Sequence, residues 1–188
     1  MVSGSYTKLT DYKVTNTPYG RDLLGPMVEA FRHTSTVLRF IEYMDVGTSN
    51  GWRLDEVVTA REIVETVRTR YPISRQPATA PGETANRWHF DDGAGEIGII
   101  ASVSQPFCGG CTRARLSAIG ELYTCLFGVH GRDLRTPLRA GASDDELSAM
   151  LAGIWNARDD RYSEQRGEET ANRRGDADGK VEMSYIGG

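Results

Sequence analysis

Apolar residues recur at helical spacing over Asp22–Thr34, where Leu23, Leu24, Met27, Val28 and Phe31 share one face and Pro26 is tolerable only near the first turn. Val37–Met44 (VLRFIEYM) predicts a strand without clean polar alternation, and Asp45–Gly51 (DVGTSNG) a loop of turn formers. A second helix follows: Thr59 and Glu62 form a capping-box pair, Ile63, Val64 and Val67 a stripe, and Pro72 a stop. Residues 1–20 are polar and carry no clear period. Helix, strand, loop and helix in this order are the rhythm of an α/β architecture.

From Ser74 to Gly95 the pattern loosens, interrupted by Pro77, Pro81, Gly82, Gly93 and Gly95, and a boundary is expected there. Glu96–Val103 predicts another strand. Thr112–Phe127 (TRARLSAIGELYTCLF) predicts a hairpin, with Gly120 at the left-handed position of a three-residue loop. That register sets Ser117 opposite Glu121, Arg115 opposite Tyr123 and Arg113 facing Cys125. Ser143 and Glu146 form a second capping box, opening a helix whose Leu147, Met150, Leu151, Ile154 and Trp155 make a stripe expected to be core. Thirteen charged residues among the 23 from Arg158 to Lys180, with no apolar period, predict a mobile, solvated loop over 158–180. Val181–Ile186 regains some apolar character before Gly187-Gly188.

Composition changes this picture little. A chain of 188 residues, 39% hydrophobic and 26% charged, is globular and long enough to bury a core without disulfides. The net charge of -4 and a pI near 5.4 argue against a protein that coats nucleic acid. No apolar stretch nears the roughly 20 residues needed to span a bilayer, and the first residues lack the pattern of a secretion signal. A soluble, cytoplasmic protein is expected. The basic residues are 19 Arg against 3 Lys, a bias toward the planar fork that suits phosphate and carboxylate.

The three cysteines carry the chemistry. An odd number argues against a disulfide framework, and Cys108, Cys111 and Cys125 are spaced C-x2-C-x13-C. Gly109 and Gly110 would free the loop to wrap a metal and aim amide N–H groups at sulfur. Three thiolates suit a [4Fe–4S] cluster with one iron lacking a protein ligand, or a Cys3His zinc site closed by His130, with His89 less well placed. The bland reading is three ordinary buried thiols, and spacing alone does not separate zinc from iron–sulfur. Arg113 and Arg115 share a side of their strand, where two guanidiniums beside an open iron would hold an anion such as a triphosphate.

PFCGGCTRARLSAIGELYTCLF at 106–127, FIEYMDVGTSNGW at 40–52 and the terminal Gly187-Gly188 together resemble the radical-SAM GTP 3′,8-cyclase family of molybdenum cofactor biosynthesis. The resemblance covers about Val37–Gly188. It implies the end of a partial (β/α) radical-SAM barrel over 37–75 and an α+β iron–sulfur cap domain over 76–188, after a segment 1–36 without a family match. It implies a [4Fe–4S] cluster on Cys108, Cys111 and Cys125 whose open iron meets the guanine of GTP. Arg113, Ala114 and Arg115 would line the GTP site, Met44 would contact S-adenosylmethionine, and Gly187 and Gly188 would reach into the active site. The family's first cluster motif, C-x3-C-x2-C, has no counterpart among the three cysteines. The chain therefore looks like the C-terminal half of such an enzyme, expected to bind GTP without turning it over. As protein partners the resemblance leaves open the missing N-terminal half, the pyranopterin synthase that acts next and a second copy of the chain.

Overall fold

The computed structural model describes residues 23–47, 52–169 and 181–186. The polar N-terminal residues, part of the loop before Trp52, the latter part of the charged run and the Gly187-Gly188 pair lie outside the described residues. The chain divides into two compact units: described residues 23–45 and 52–110 form the first, and 46–47, 111–169 and 181–186 the second.

In the first unit, helix α1 (Leu24–Phe31) precedes strand β1 (Leu38–Ile41), and helix α2 (Ala60–Arg68) precedes β2 (Ile73–Arg75), β3 (Asn86–Phe90) and β4 (Glu96–Ile100). The four strands make one sheet in the order β1-β4-β3-β2. β1 runs parallel to β4, with Leu38 opposite Ile97 and Ile41 opposite Ile100, whereas β4, β3 and β2 are antiparallel neighbours. A parallel pair needs a long crossover, and here α2 is part of it. α2 begins as its sequence predicts: the Thr59 hydroxyl accepts from the Glu62 N–H at 3.3 Å, and the Glu62 carboxylate accepts from the Thr59 N–H at 2.8 Å. Such a cap stabilises by about 1 kcal/mol.

β4 sits between two strands, so Ile97, Gly98 and Ile99 are all buried. Ile97 and Ile99 pack with Leu24, Val28, Leu38, Ile63, Val64, Val67, Ile73 and Phe90 into one core. Gly98 lies opposite Arg39, and a Cβ there would stand 3.1 Å from the Arg39 side chain, so the arginine stem crosses the sheet over the glycine. The arrangement is mixed α/β, as expected in class. The stretch read as loose, Ser74–Gly95, instead supplies most of β2 and all of β3. Its strands are short and bounded by proline and glycine, and cross-strand pairing stabilises them where their own pattern does not. The predicted strands at Val37–Met44 and Glu96–Val103 are each shorter than their apolar runs, because pairing stops at Ile41 and Ile100.

The second unit holds a small antiparallel sheet, β5 (Arg115–Leu116), β6 (Glu121–Tyr123) and β7 (Arg132–Asp133), in that order. Helices α3 (Arg135–Arg139), α4 (Asp144–Asn156) and α5 (Tyr162–Glu169) follow. α4 starts with the predicted capping box, Ser143 with Glu146, and carries three acidic residues in its first turn, where the positive end of the helix dipole favours them. Its apolar stripe is not core. No residue of α4 is buried; Met150, Leu151 and Trp155 are each more than a third exposed. Helical period marks one face as apolar but not what that face meets, which is why the expectation failed. The segment 158–180 is likewise not all loop, since α5 occupies Tyr162–Glu169 of it. The closing stretch forms a turn, Met183–Ile186, that buries Ile186 almost completely.

Candidate functional site

The hairpin forms in the predicted register. Arg115 pairs with Tyr123 and Leu116 with Leu122, and the Ser117 N–H donates to the Glu121 carbonyl at 2.9 Å. Gly120 has φ +83°, a left-handed value that side chains rarely adopt, and its position holds the turn. A Cβ there would also stand 2.7 Å from the Arg135 Cβ. β5 and β6 are shorter than foreseen. The ladder stops at Arg115 and Tyr123, so Arg113 and Cys125 lie beyond it and are not a ladder pair.

The alternation nevertheless runs past the paired residues. From Cys111 to Ser117 burial follows a strict period of two: Cys111, Arg113, Arg115 and Ser117 are covered to varying degrees, while Thr112, Ala114 and Leu116 are exposed. One thiol and two guanidiniums therefore share a face. Ala114 is on the other one, so any role for it falls to its backbone.

This face is electrostatically unusual. Burial pushes the Cys111 thiol up, but the Arg113 backbone and side chain, with a further contribution from Arg158, outweigh it and leave the thiol below its usual value. An Arg113 guanidinium nitrogen lies 3.2 Å from Cys111 Sγ. Burial and the like charge of Arg113 lower the Arg115 pKa, opposed by the thiols of both Cys111 and Cys125. Arg115 thus senses both sulfurs. The Cys125 sulfur accepts from the Phe127 N–H at 3.4 Å, and the Cys125 carbonyl accepts from the Gly128 N–H at 3.2 Å, closing a tight turn around the residue. Phe127 stacks on Tyr162 of α5, ring centroids 4.5 Å apart. Beside Cys125, the Thr124 hydroxyl donates to Asp160 at 2.6 Å.

Cys108 opens a single tight turn, Cys108–Gly110, in the first unit. The Gly110 N–H donates to the Phe107 carbonyl at 3.3 Å, while the amides of Arg113 and Phe127 reach the sulfurs of Cys111 and Cys125. None of the three cysteines is in a disulfide, and each is half-buried. Among the described residues no group of three or more His, Cys, Asp or Glu is gathered into a metal site. His130 is exposed, and His89 is engaged in β3 with Glu96 at 2.8 Å. The donor chemistry fits an iron–sulfur cluster: reduced thiols, one of them held toward the thiolate, with cations and an amide N–H to stabilise sulfur charge. Met44 follows β1, half-buried in the first unit. No described helix is long and apolar enough to cross a membrane.

Sequence reasoning missed Arg158, which it placed in a solvated loop. Its side chain is 11% exposed, its guanidinium donates to the Cys111 carbonyl at 2.5 Å and lies 3.4 Å from Asp160. An arginine after a capped helix was the only available signal. Glu42, within FIEYM, was also missed; it is 1% exposed and takes hydrogen bonds from three backbone amides.

Residues 36–164 match the family model described as Molybdenum Cofactor Synthesis C. The chain is 48% identical over 177 residues to a GTP 3′,8-cyclase of Acidothermus cellulolyticus, covering 84% of this chain and 49% of that protein. It is 47% identical over 167 residues to a GTP 3′,8-cyclase of Xanthomonas campestris (89% and 47%), and 43% identical over 168 residues to one of Staphylococcus haemolyticus (89% and 49%). It spans about half the length of these curated relatives.

Proposed function

Since the chain belongs to the Molybdenum Cofactor Synthesis C family, and relatives at 43–48% identity are GTP 3′,8-cyclases, we propose that it is the part of such a cyclase that binds and orients GTP. The observation that carries this reading is the face of Cys111, Arg113 and Arg115. Two guanidiniums, one of them desolvated and repelled by the other, are stabilised by a polyanion placed between them. Cys108, Cys111 and Cys125 would hold a [4Fe–4S] cluster, which when bound supplies an iron for the substrate base. Arg113 and Arg115 neutralise the triphosphate and fix its orientation. Met44 is the residue for contact with S-adenosylmethionine, and Gly187 and Gly188 are the small terminal residues that would approach the substrate.

The reaction served is the SAM-dependent radical cyclisation of GTP toward cyclic pyranopterin monophosphate, in which this chain's contribution is positioning and charge neutralisation. Three cysteines suffice for one cluster, so the 188 residues alone are expected to bind GTP without cleaving S-adenosylmethionine. The test is anaerobic reconstitution with iron and sulfide, followed by calorimetric titration with GTP. Expected are about four irons per chain, broad absorbance near 400 nm and saturable GTP binding lost in Cys125→Ala. One zinc and no colour would overturn the cluster assignment, and release of 5′-deoxyadenosine by this chain alone would overturn the division of labour.

A further inference from the structure

α4 ends at Asn156, and the chain turns back so that Arg158 lies almost wholly inside the second unit. Three partners hold it there. Nη1 donates to the Cys111 carbonyl at 2.5 Å, Nε lies 3.4 Å from Asp160 Oδ2, and the guanidinium carbon sits 4.8 Å from the Trp155 ring centroid. Asp160 accepts in turn from the Thr124 hydroxyl at 2.6 Å. One planar cation thus reaches the main chain of one cysteine directly and the residue preceding another through a carboxylate. The fork geometry matters, since a point charge cannot serve a carbonyl and a carboxylate in fixed directions at once.

We propose that Arg158 is a positioning residue for the cysteine site, clamping the Cys111 main chain and, through Asp160 and Thr124, the approach to Cys125. In this role it acts through the main chain and neighbours of the cysteines, and the role rests on the reading that Cys111 and Cys125 are cluster ligands. Partners behind metal ligands of this kind typically change metal retention by 10- to 100-fold when removed.

Two measurements separate the clamp from the cluster assignment. The first is hydrogen exchange on the iron-free chain. Arg158→Gln should raise exchange at least tenfold in peptides covering 111–114 and 124–128 and leave β3 and β4 unchanged. Asp160→Asn, a milder change that retains the arginine, should raise it only in 124–128. The second is iron loss to a chelator after anaerobic reconstitution, with the electron paramagnetic resonance spectrum of the reduced cluster. Arg158→Gln should lose iron about tenfold faster with altered g-values, and Arg158→Lys should recover only part of the difference. Unchanged exchange in both variants overturns the clamp, as does full recovery by lysine. Should the wild-type chain take up no iron while Arg158→Gln still loosens both peptides, the cluster reading fails and the clamp on the two segments stands.

Discussion

The Glu42 carboxylate accepts the backbone N–H of Ala60 at 2.6 Å, tying the end of β1 to the first residue of α2. Its second oxygen accepts from the amides of Val103 and Ser104, each at 2.7 Å, and the Ser104 hydroxyl donates to the oxygen that Ala60 also reaches. The Glu42 side chain, buried to 1% exposure, is accommodated there because the N-terminus of a helix and the turn after β4 surround it with donors. Glu42→Ala would leave three amides short of a partner, at about 1–3 kcal/mol each. It is expected to lower unfolding free energy by about 3 kcal/mol or more in urea titration. A loss below about 1 kcal/mol would show that water replaces the carboxylate.

Gly120→Ala tests the hairpin. It meets both the left-handed backbone and the Arg135 Cβ, so a loss of about 1–3 kcal/mol is expected. Gly141→Ala, also at positive φ but with open space around its Cβ, should cost less, and equal costs would argue against the clash.

Stability should fall in acid through Glu96. Arg87 first of all, opposed by burial and aided by His89, holds its carboxyl below the usual value. A group lowered on folding stabilises the native state above its unfolded pKa, and that contribution is lost as pH falls through the lowered folded value. Glu96→Gln should therefore flatten the stability curve below the ordinary glutamate range and leave its shape near neutrality unchanged. An acid limb identical to wild type would mean that other carboxylates dominate.

Arg115→Lys should weaken GTP binding about tenfold by titration calorimetry, because lysine keeps the charge but not the paired donors. Arg135→Lys, an arginine of α3, is the control and should leave affinity unchanged. Equal effects of the two would remove the face around Cys111 from the nucleotide site.

What the sequence made legible was local. Both capping boxes lie within four residues, and the hairpin register follows from one glycine and the residues around it, so both were readable from spacing. Glu42 was not, since its donors come from residues 60, 103 and 104, which only the fold brings near. Arg158 was hidden for the same reason: charge density predicts solvent, yet a single guanidinium with a carbonyl, a carboxylate and a ring around it buries well. The stripe on α4 misled in the opposite sense, because an apolar face implies a partner surface without implying that this chain provides it.

The period of two between Cys111 and Ser117 also bears on how this stretch can change in length. One residue inserted between Cys111 and Arg115 would separate the thiol from one or both guanidiniums by turning one side of the insertion to the exposed face, whatever residue it was. Substitutions at Thr112, Ala114 and Leu116 meet solvent and should be absorbed. Drift by substitution is open to alternate positions here, whereas single-residue insertion or deletion is closed to all of them.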